Sequence, residues 1–489
     1  MMATRMMPAP AGALRLATWA AALTLTALAA AAPAAAQQPG DTVTLAAGPR
    51  YEAGGFKRFW LGDGWRDLWT TPVRAPVLDI NTFAGGLTPE KRGGGNQSIT
   101  LHMQDPQGRT WLFRSIDKFP EQGLPAEFQG SPAGALVQDQ ISGQHPGAHF
   151  ILPRLLDAAG ILHVNPRLYV MADDPALGEF RETFAGMLGE LEIIPNEGPD
   201  DSPGFAGSTK IKGWEEFEND IEESPEFRVD APELLRARLI DFLVGDADRG
   251  TDQWRWVRFG EKGDYVYRPL PRDRDWALQD AEARLIAPLK GIYPKLTKFG
   301  PENSDIESLT YASHLIDRRL LTGLTRADFQ RAADDVQRAL TDEVIAAAVA
   351  DMPPEYVPLA ADEIADALRA RRDALAPLAM AFYEELATEV DVRGTDEADY
   401  AEVTRQPDGR VRVRLSLLAD DEMAGGGGGT PYYERTFLPG ETNEVRVYLH
   451  GDDDRALVTG PRAGPIVVRV IGGGGDDLLE DRTGGAHLY

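Results

Sequence analysis

Residues 239–278 constrain this chain more tightly than any other stretch. Asp241, Asp246, Asp248, Asp252, Asp273 and Asp275 are set there among Trp254, Trp256, Trp276 and strand-forming residues. A solvated acidic helix has no use for interleaved tryptophans. Carboxylates beside bulky aromatics point instead to a partly buried acidic cleft, where each charge is paired, metal-bound or protonated. Local signals order the stretch. Asp230, Glu233 and an early Pro232 read as a helix start. Leu235, Leu239, Phe242 and Leu243 form an apolar helical face, and Gly245 ends the helix. Residues 246–252 then hang as a loop from a buried helix end. Residues 253–259 and 264–270 alternate like strands, and Pro269 and Pro271 stop the second just before Asp273 and Asp275. The order is helix, acidic loop, β-hairpin, acidic pair.

That order resembles the site of protein-kinase-like enzymes. There, one loop holds a catalytic Asp with an amide or acid five residues on, and a hairpin leads to a metal-binding Asp. Asp248-Arg249 matches the Asp-Arg of such a loop, Gln253 stands at the plus-five position, and Asp273 opens the second acidic element. The resemblance is to atypical secreted or bacterial kinases of the HipA toxin and spore-coat CotH type. It is closer still to a bacterial envelope group carrying GDWDRHxDQWRW followed by PIPRDRDQAF. Against that group, Ala247 replaces Trp and Gly250 replaces His.

The resemblance implies an α+β fold: a two-lobed protein-kinase-like body, with a β-rich N-lobe and a helical C-lobe, plus a C-terminal β segment. It implies Asp248 as the catalytic residue facing a hydroxyl acceptor. Gln253 and Asp273 are implied as ligands of Mg²⁺ or Mn²⁺ carried with ATP, and Asp275 as a reserve ligand. In the same frame Gly93, Gly94 and Gly95, with Asn96, Gln97 and Ser98, cover phosphates through backbone N–H groups. A strand over 111–118 presents a cation to them, from Arg114 or Lys118. Glu192 or the backbone near it falls at the hinge between lobes. The competing readings are plainer. The glycines form a flexible turn, Lys118 is a solvated strand end, and the acids are paired with Arg249, Arg255, Arg272 and Arg274.

The ends of the chain bear on location. Arg5 and Arg15, an apolar run over 16–30 and Ala34-Ala35-Ala36 before Gln37 read as a secretory signal over 1–36. The expected location is the periplasm or the outer membrane, without lipidation, since no Cys adjoins the cleavage site. There is no Cys anywhere, which removes disulfides and thiol chemistry. A net charge of −27 argues against nucleic-acid partners, whose main driving term is phosphate neutralisation. His102, His145, His149, His163, His314, His450 and His487 fit no zinc or triad pattern, and read as surface or satisfied core residues.

The domain reading is a β-rich region over 37–195, a helical region with the acidic site over 196–392, and a β domain over 393–489. Ser304/Glu307 and Thr325/Asp328 look like capping boxes. One long helix is expected over 361–390, kinked or split by Pro377. GGGGDDLLED near the C-terminus resembles one turn of a calcium-binding Gly-Asp repeat. A single copy reads as a turn with solvated acids, and so do Asp452, Asp453 and Asp454. In the envelope group an outer-membrane barrel often follows such a segment, which implies a barrel partner. Two functions follow: an exported metal-dependent phosphotransferase using ATP, or an inactive binding module of the envelope.

Overall fold

Alternating apolar residues between turn formers build a seven-stranded sheet early in the chain. Its strands are β1 (Thr42–Ala46), β2 (Pro72–Leu78), β3 (Thr88–Gly93), β4 (Thr100–Gln104), β5 (Thr110–Ser115), β6 (Arg167–Met171) and β7 (Leu188–Ile193), in the order β1-β2-β6-β7-β5-β4-β3. The structure is a computed structural model that describes residues 41–94, 97–198, 203–418, 429–462 and 464–489; the stretch 1–36 expected to be a secretory signal, Gly95 and Asn96 lie outside them. β3, β4 and β5 form an antiparallel meander, and β7 joins the far side of β5. One face of this sheet is dry, with Leu101, Met103, Phe113 and Leu191 in one cluster. The other carries Arg114 and, opposite it on β7, Glu190. Short helices α1 (Gly55–Leu61) and α2 (Arg66–Thr70) follow β1. α3 (Pro132–Asp139) and α4 (Ala148–Ala158) follow β5, and α5 (Arg181–Phe184) follows β6.

The acidic hairpin forms where its alternation placed it. β8 (Lys210–Lys212), β9 (Phe227–Val229), β10 (Trp254–Glu261) and β11 (Asp264–Pro271) make a sheet ordered β8-β10-β11-β9. Period-two spacing puts Trp254 and Trp256 on the same side, both fully buried. Trp256 stacks on Phe217 of α6 (Trp214–Glu223) at 4.1 Å between ring centroids. These rings anchor the hairpin, and with it the acids at either end.

α7 (Ala231–Val244) is the buried helix behind them. Asp230 caps it by accepting from the Glu233 N–H at 2.8 Å. Gly245 ends it at φ +69°, a conformation that costs other residues strain. The last carbonyls are not left bare. Buried Arg371 donates to the carbonyls of Phe242 and Leu243 at 3.1 Å each.

The middle of the chain is helical, with α8 (Ile306–Thr310), α9 (His314–Leu320), α10 (Arg326–Ala339), α11 (Asp342–Ala350), α12 (Val357–Asp373) and α13 (Leu375–Ala387). The capping box at Thr325 and Asp328 is present. The one expected at Ser304 is not: Asp305 caps α8 instead, accepting from Ser308 N–H at 2.8 Å. The long helix expected over 361–390 is two helices. The break falls at Ala374, so Pro377 sits in the first turn of α13, where its missing N–H costs nothing. Thr388 then leads directly into a strand.

The rest of the chain is β12 (Glu389–Arg393), β13 (Asp399–Arg405), β14 (Val411–Leu417), β15 (Tyr433–Phe437), β16 (Glu444–Tyr448), β17 (Arg455–Thr459), β18 (Val467–Ile471), β19 (Leu478–Asp481) and β20 (His487–Leu488). They form two sheets, β12-β16-β18-β20 and β15-β14-β13-β17-β19. From β16 onward consecutive strands alternate between the sheets and pair in parallel, so the chain winds as a roll around an interior of Val, Ala, Leu and Ile. The roll is bonded to the helices: Glu441 accepts from Arg326 and Tyr383, each at 2.7 Å. Residues 37–489 make one compact unit. The fold is mixed α+β, with a β-rich first region, a helical middle and C-terminal β sheets. Among the described residues no helix is long and apolar enough to cross a membrane.

Candidate functional site

Strand β5 and the acidic pair after β11 meet in a cleft. Arg114, near the end of β5, donates to Asp273 at 2.5 Å, and also lies 3.6 Å from Glu190 and 3.8 Å from Glu192. Asp273 has φ +51°, uncommon for a residue with a side chain but tolerated by Asp. Lys118 lies just beyond β5. Its ammonium is 2.6 Å from Asp275 and donates to Gln144 at 2.8 Å. It is 3% exposed, so it is no solvated strand end. His149, in the first turn of α4, bonds the other Asp275 oxygen at 2.6 Å and approaches Glu190 at 3.2 Å. Arg114, His149, Glu190, Glu192 and Asp273 line a small open cleft of about 40 Å³, with an apolar wall from Leu152, Pro153 and Leu156 of α4.

The electrostatics follow from burial and pairing. Burial pulls the His149 ring down, but Glu190 and Asp275 outweigh it and hold the imidazole above its ordinary value. Burial pushes Asp275 up, yet Lys118 and His149 hold its carboxyl well below the usual range. Glu192 is raised by burial, with Glu190 adding to it against Arg114. Asp275 is thus a committed anion with both oxygens bonded, which leaves little of it to act as a reserve metal ligand.

Asp248 and Gln253 do not line this cleft. Asp248 is 2.5 Å from the ammonium of Lys295, which also lies over the rings of Trp276 and Tyr293. The Gln253 amide nitrogen donates to Asp252 at 3.3 Å, while its Oε1 is buried without a partner. Arg249 ties the two acidic elements together. It donates to the carbonyls of Arg272 at 2.7 Å, Asp273 at 3.3 Å and Gln253 at 3.0 Å. Its guanidinium is fully buried over Trp254 and turns toward Asp241 and Asp246. Gly93 closes β3, and Gly94 has φ +116°. The Gln97 carbonyl accepts from Phe119 N–H at 2.5 Å, which docks the far side of the glycine turn beside Lys118. Ser98 is half-buried next to it.

The plain reading of the arginines holds for Arg249 and Arg274, which pair with acids of the stretch, and not for Arg272 and Arg255. Arg249 and Arg274 pair with Asp241 behind the loop, Arg272 lies 3.9 Å from Glu192, and Arg255 donates to main-chain carbonyls. The partners of the site acids are Arg114, Lys118, His149 and Lys295. Glu190 and Lys295 had no place in the sequence reading, and His149 figured there only as a surface or satisfied core histidine. One signal was available for Glu190. In LGELEI two glutamates share one face of an otherwise buried strand, which demands a cation opposite.

Asp246 gives the site a pH signature. It is fully buried, and burial raises its carboxyl to about 7, with Arg249 opposing and Asp241 adding. A raised acid favours the folded state only while it is protonated. Stability should therefore fall by on the order of 2–4 kcal/mol as pH rises from about 4, where the unfolded chain releases the proton, to about 7. Urea unfolding of Asp246→Asn across that window should lose this slope. An unchanged slope would assign it elsewhere.

No protein-family model matches the sequence, and no curated protein matches it. Among solved structures, the proinflammatory kinase CtkA of Helicobacter pylori is similar at 10% identity and a TM-score of 0.31, over 60% of this chain and 95% of that one.

Proposed function

We propose that this chain is an exported, kinase-like phosphotransferase that takes ATP with Mg²⁺ or Mn²⁺ and transfers its terminal phosphoryl group to a hydroxyl. The observation that carries this reading is the Arg114–Asp273 contact at 2.5 Å. A cation on the second strand after a glycine turn meets the acid that follows the hairpin, and phosphoryl transfer uses one such group on the phosphates and the other on their metal. With no nucleotide present the cation neutralises the acid. With nucleotide, Arg114 and Lys118 are the groups to pair with phosphate oxygens, and Asp273 is freed to face a metal.

The candidate donors are Gln253 Oε1, a buried oxygen without a partner that lies outside the cleft lining, and Asp273, one oxygen of which is held by Arg114. Among the described residues no three acidic or histidine side chains converge as a ready metal cage. Mg²⁺ is commonly held by one or two carboxylates plus substrate phosphates, so the site can be completed by the nucleotide. The ion supplies neutralisation of the phosphate oxygens. Asp248 orients the acceptor hydroxyl and takes its proton as the acceptor oxygen bonds to phosphorus and the bond to the ADP oxygen breaks. The backbone N–H groups of the glycine turn cover the phosphates. The secretory motif over 1–36 supports export, and the envelope resemblance supports a barrel partner.

A second reading, a binding module that does not transfer, is favoured by one contact: Lys295 occupies the Asp248 carboxylate at 2.5 Å. Incubating residues 37–489 with γ-labelled ATP and Mn²⁺ separates the two. Label should move to water or an added alcohol, and Asp248→Asn should slow this about 10²–10⁴-fold while still binding nucleotide. Nucleotide binding without any transfer by the wild type would establish the second reading.

A further inference from the structure

On one side of the C-terminal roll, turns stack acid upon acid. Residues 394–399, 449–454 and 472–477 are equivalent turns, because β12, β16 and β18 pair in parallel before them and β13, β17 and β19 pair in parallel after them. Each ends in an aspartate: Asp399, Asp454 and Asp477. Asp477 accepts from the Asp454 N–H at 3.1 Å, and Asp454 accepts from the Asp399 N–H at 2.8 Å. These bonds draw the carboxylates into a column along the roll. Asp454 is 1% exposed and Asp399 is fully buried, so neither is the solvated acid of a plain turn.

Among the described residues no ion pair reaches Asp399 or Asp454, and three arginines of the roll pair elsewhere: Arg446 with Glu389 and Asp391, Arg469 with Glu444, and Arg482 with Glu480. Asp454 Oδ2 is, among the described residues, a buried oxygen without a hydrogen-bond partner, while Asp399 accepts from Thr395 N–H at 2.7 Å and has the Tyr432 hydroxyl beside it. A buried carboxylate in that position is costly unless it is protonated or meets a cation. We propose that Asp399 and Asp454 bind a Ca²⁺ ion between the turns 394–399 and 449–454, with main-chain carbonyls and water completing its shell.

The donor chemistry selects the ion. Asp399 and Asp454 offer hard oxygens, and His450 of the same turn has Glu222 and Asp396 as the acids acting on it, not these two, which disfavours Zn²⁺. The side chains form no three-membered cage, so most ligands must come from main chain and water in an irregular arrangement. Ca²⁺ tolerates that with six to eight oxygens, whereas Mg²⁺ demands near-octahedral order. Burial, with the neighbouring carboxylates adding, pushes Asp454 up to about 8 and Asp399 up to about 6, as expected for acids placed together with no cation between them.

The test is calorimetric titration of chelator-treated residues 37–489 with CaCl₂, alongside thermal melting. Wild type should bind Ca²⁺ with a Kd on the order of 10⁻⁵–10⁻³ M and melt higher with it, while responding far less to MgCl₂. Asp454→Asn keeps an oxygen for the Asp399 N–H but loses the charge, and should weaken Ca²⁺ binding on the order of tenfold or more. Asp273→Asn, altered only in the cleft, should keep the full response. Wild type without heat or melting shift at millimolar CaCl₂ would overturn the site. So would Asp454→Asn binding as wild type does, or melting higher on its own beside a calcium-blind wild type, which marks a shared proton.

Discussion

Asp241→Ala should cost the chain about 3–5 kcal/mol of folding stability. Asp241 is fully buried and shared by buried guanidinium groups. Arg238 holds one of its oxygens at 2.6 Å with Arg249 3.5 Å away, and Arg274 holds the other. Arg238 keeps Asp317 at 2.9 Å if Asp241 is lost, but Arg274 has no other acidic partner within ion-pair range. Removing one member of a buried pair costs about 3–5 kcal/mol, because the charge left behind is neither solvated nor matched. Here the remaining charges also repel one another. Set against a typical total of about 5–15 kcal/mol, that loss takes a large share of the stability. The damage should spread to the site, since Arg249 fixes the carbonyls of Arg272, Asp273 and Gln253. Urea unfolding followed by tryptophan fluorescence reads both effects, with buried Trp254 and Trp256 as reporters. A loss below about 1 kcal/mol would mean the arginines find water or other partners, and the network is not what holds the loop.

The helix, loop and hairpin were legible because their signals are local. Asp230 and Gly245 bound α7, and alternation around Trp254 and Trp256 marks β10 within a few residues. The partners of the acids were not legible, for a reason of distance along the chain. Arg114, Lys118 and His149 reach Asp273 and Asp275 only because the first sheet and α4 fold against the hairpin. His149 was passed over because Pro146 and Gly147 break the pattern before it. In the structure Gly147 is the residue that starts α4 and points His149 inward. The roll was hidden by degenerate turns. Where one turn has Gly473 and Gly475 at positive φ, the turn before it uses His450 and Asp452 at φ +73° and +67°. One repeat therefore looked like a glycine motif, and its neighbour like an unrelated acidic run.

The second large effect concerns Asp273. In a partly desolvated cleft, its carboxylate and a triphosphate repel unless a cation stands between them. Nucleotide binding by the wild type should therefore require Mg²⁺ or Mn²⁺. Asp273→Asn removes that requirement along with the metal site. Among the described residues the variant also removes the one carboxylate within hydrogen-bond range of Arg114, while Glu190 and Glu192 stay 3.6 and 3.8 Å away. A guanidinium released from its hydrogen bond attracts phosphate, though weakly with those acids beside it. The variant should thus keep weak binding without metal, yet gain nothing when metal is added. Metal dependence is the quantity to read, because affinity alone mixes the two effects.

Calorimetric titration of ATP into residues 37–489, with and without Mn²⁺, is the direct measurement. Wild type should bind about a hundredfold tighter with the ion than without it, and Asp273→Asn should bind equally in both conditions. A wild type that stays folded yet binds no nucleotide at millimolar ATP and Mn²⁺ would contradict the account, and so would a metal effect that survives intact in Asp273→Asn.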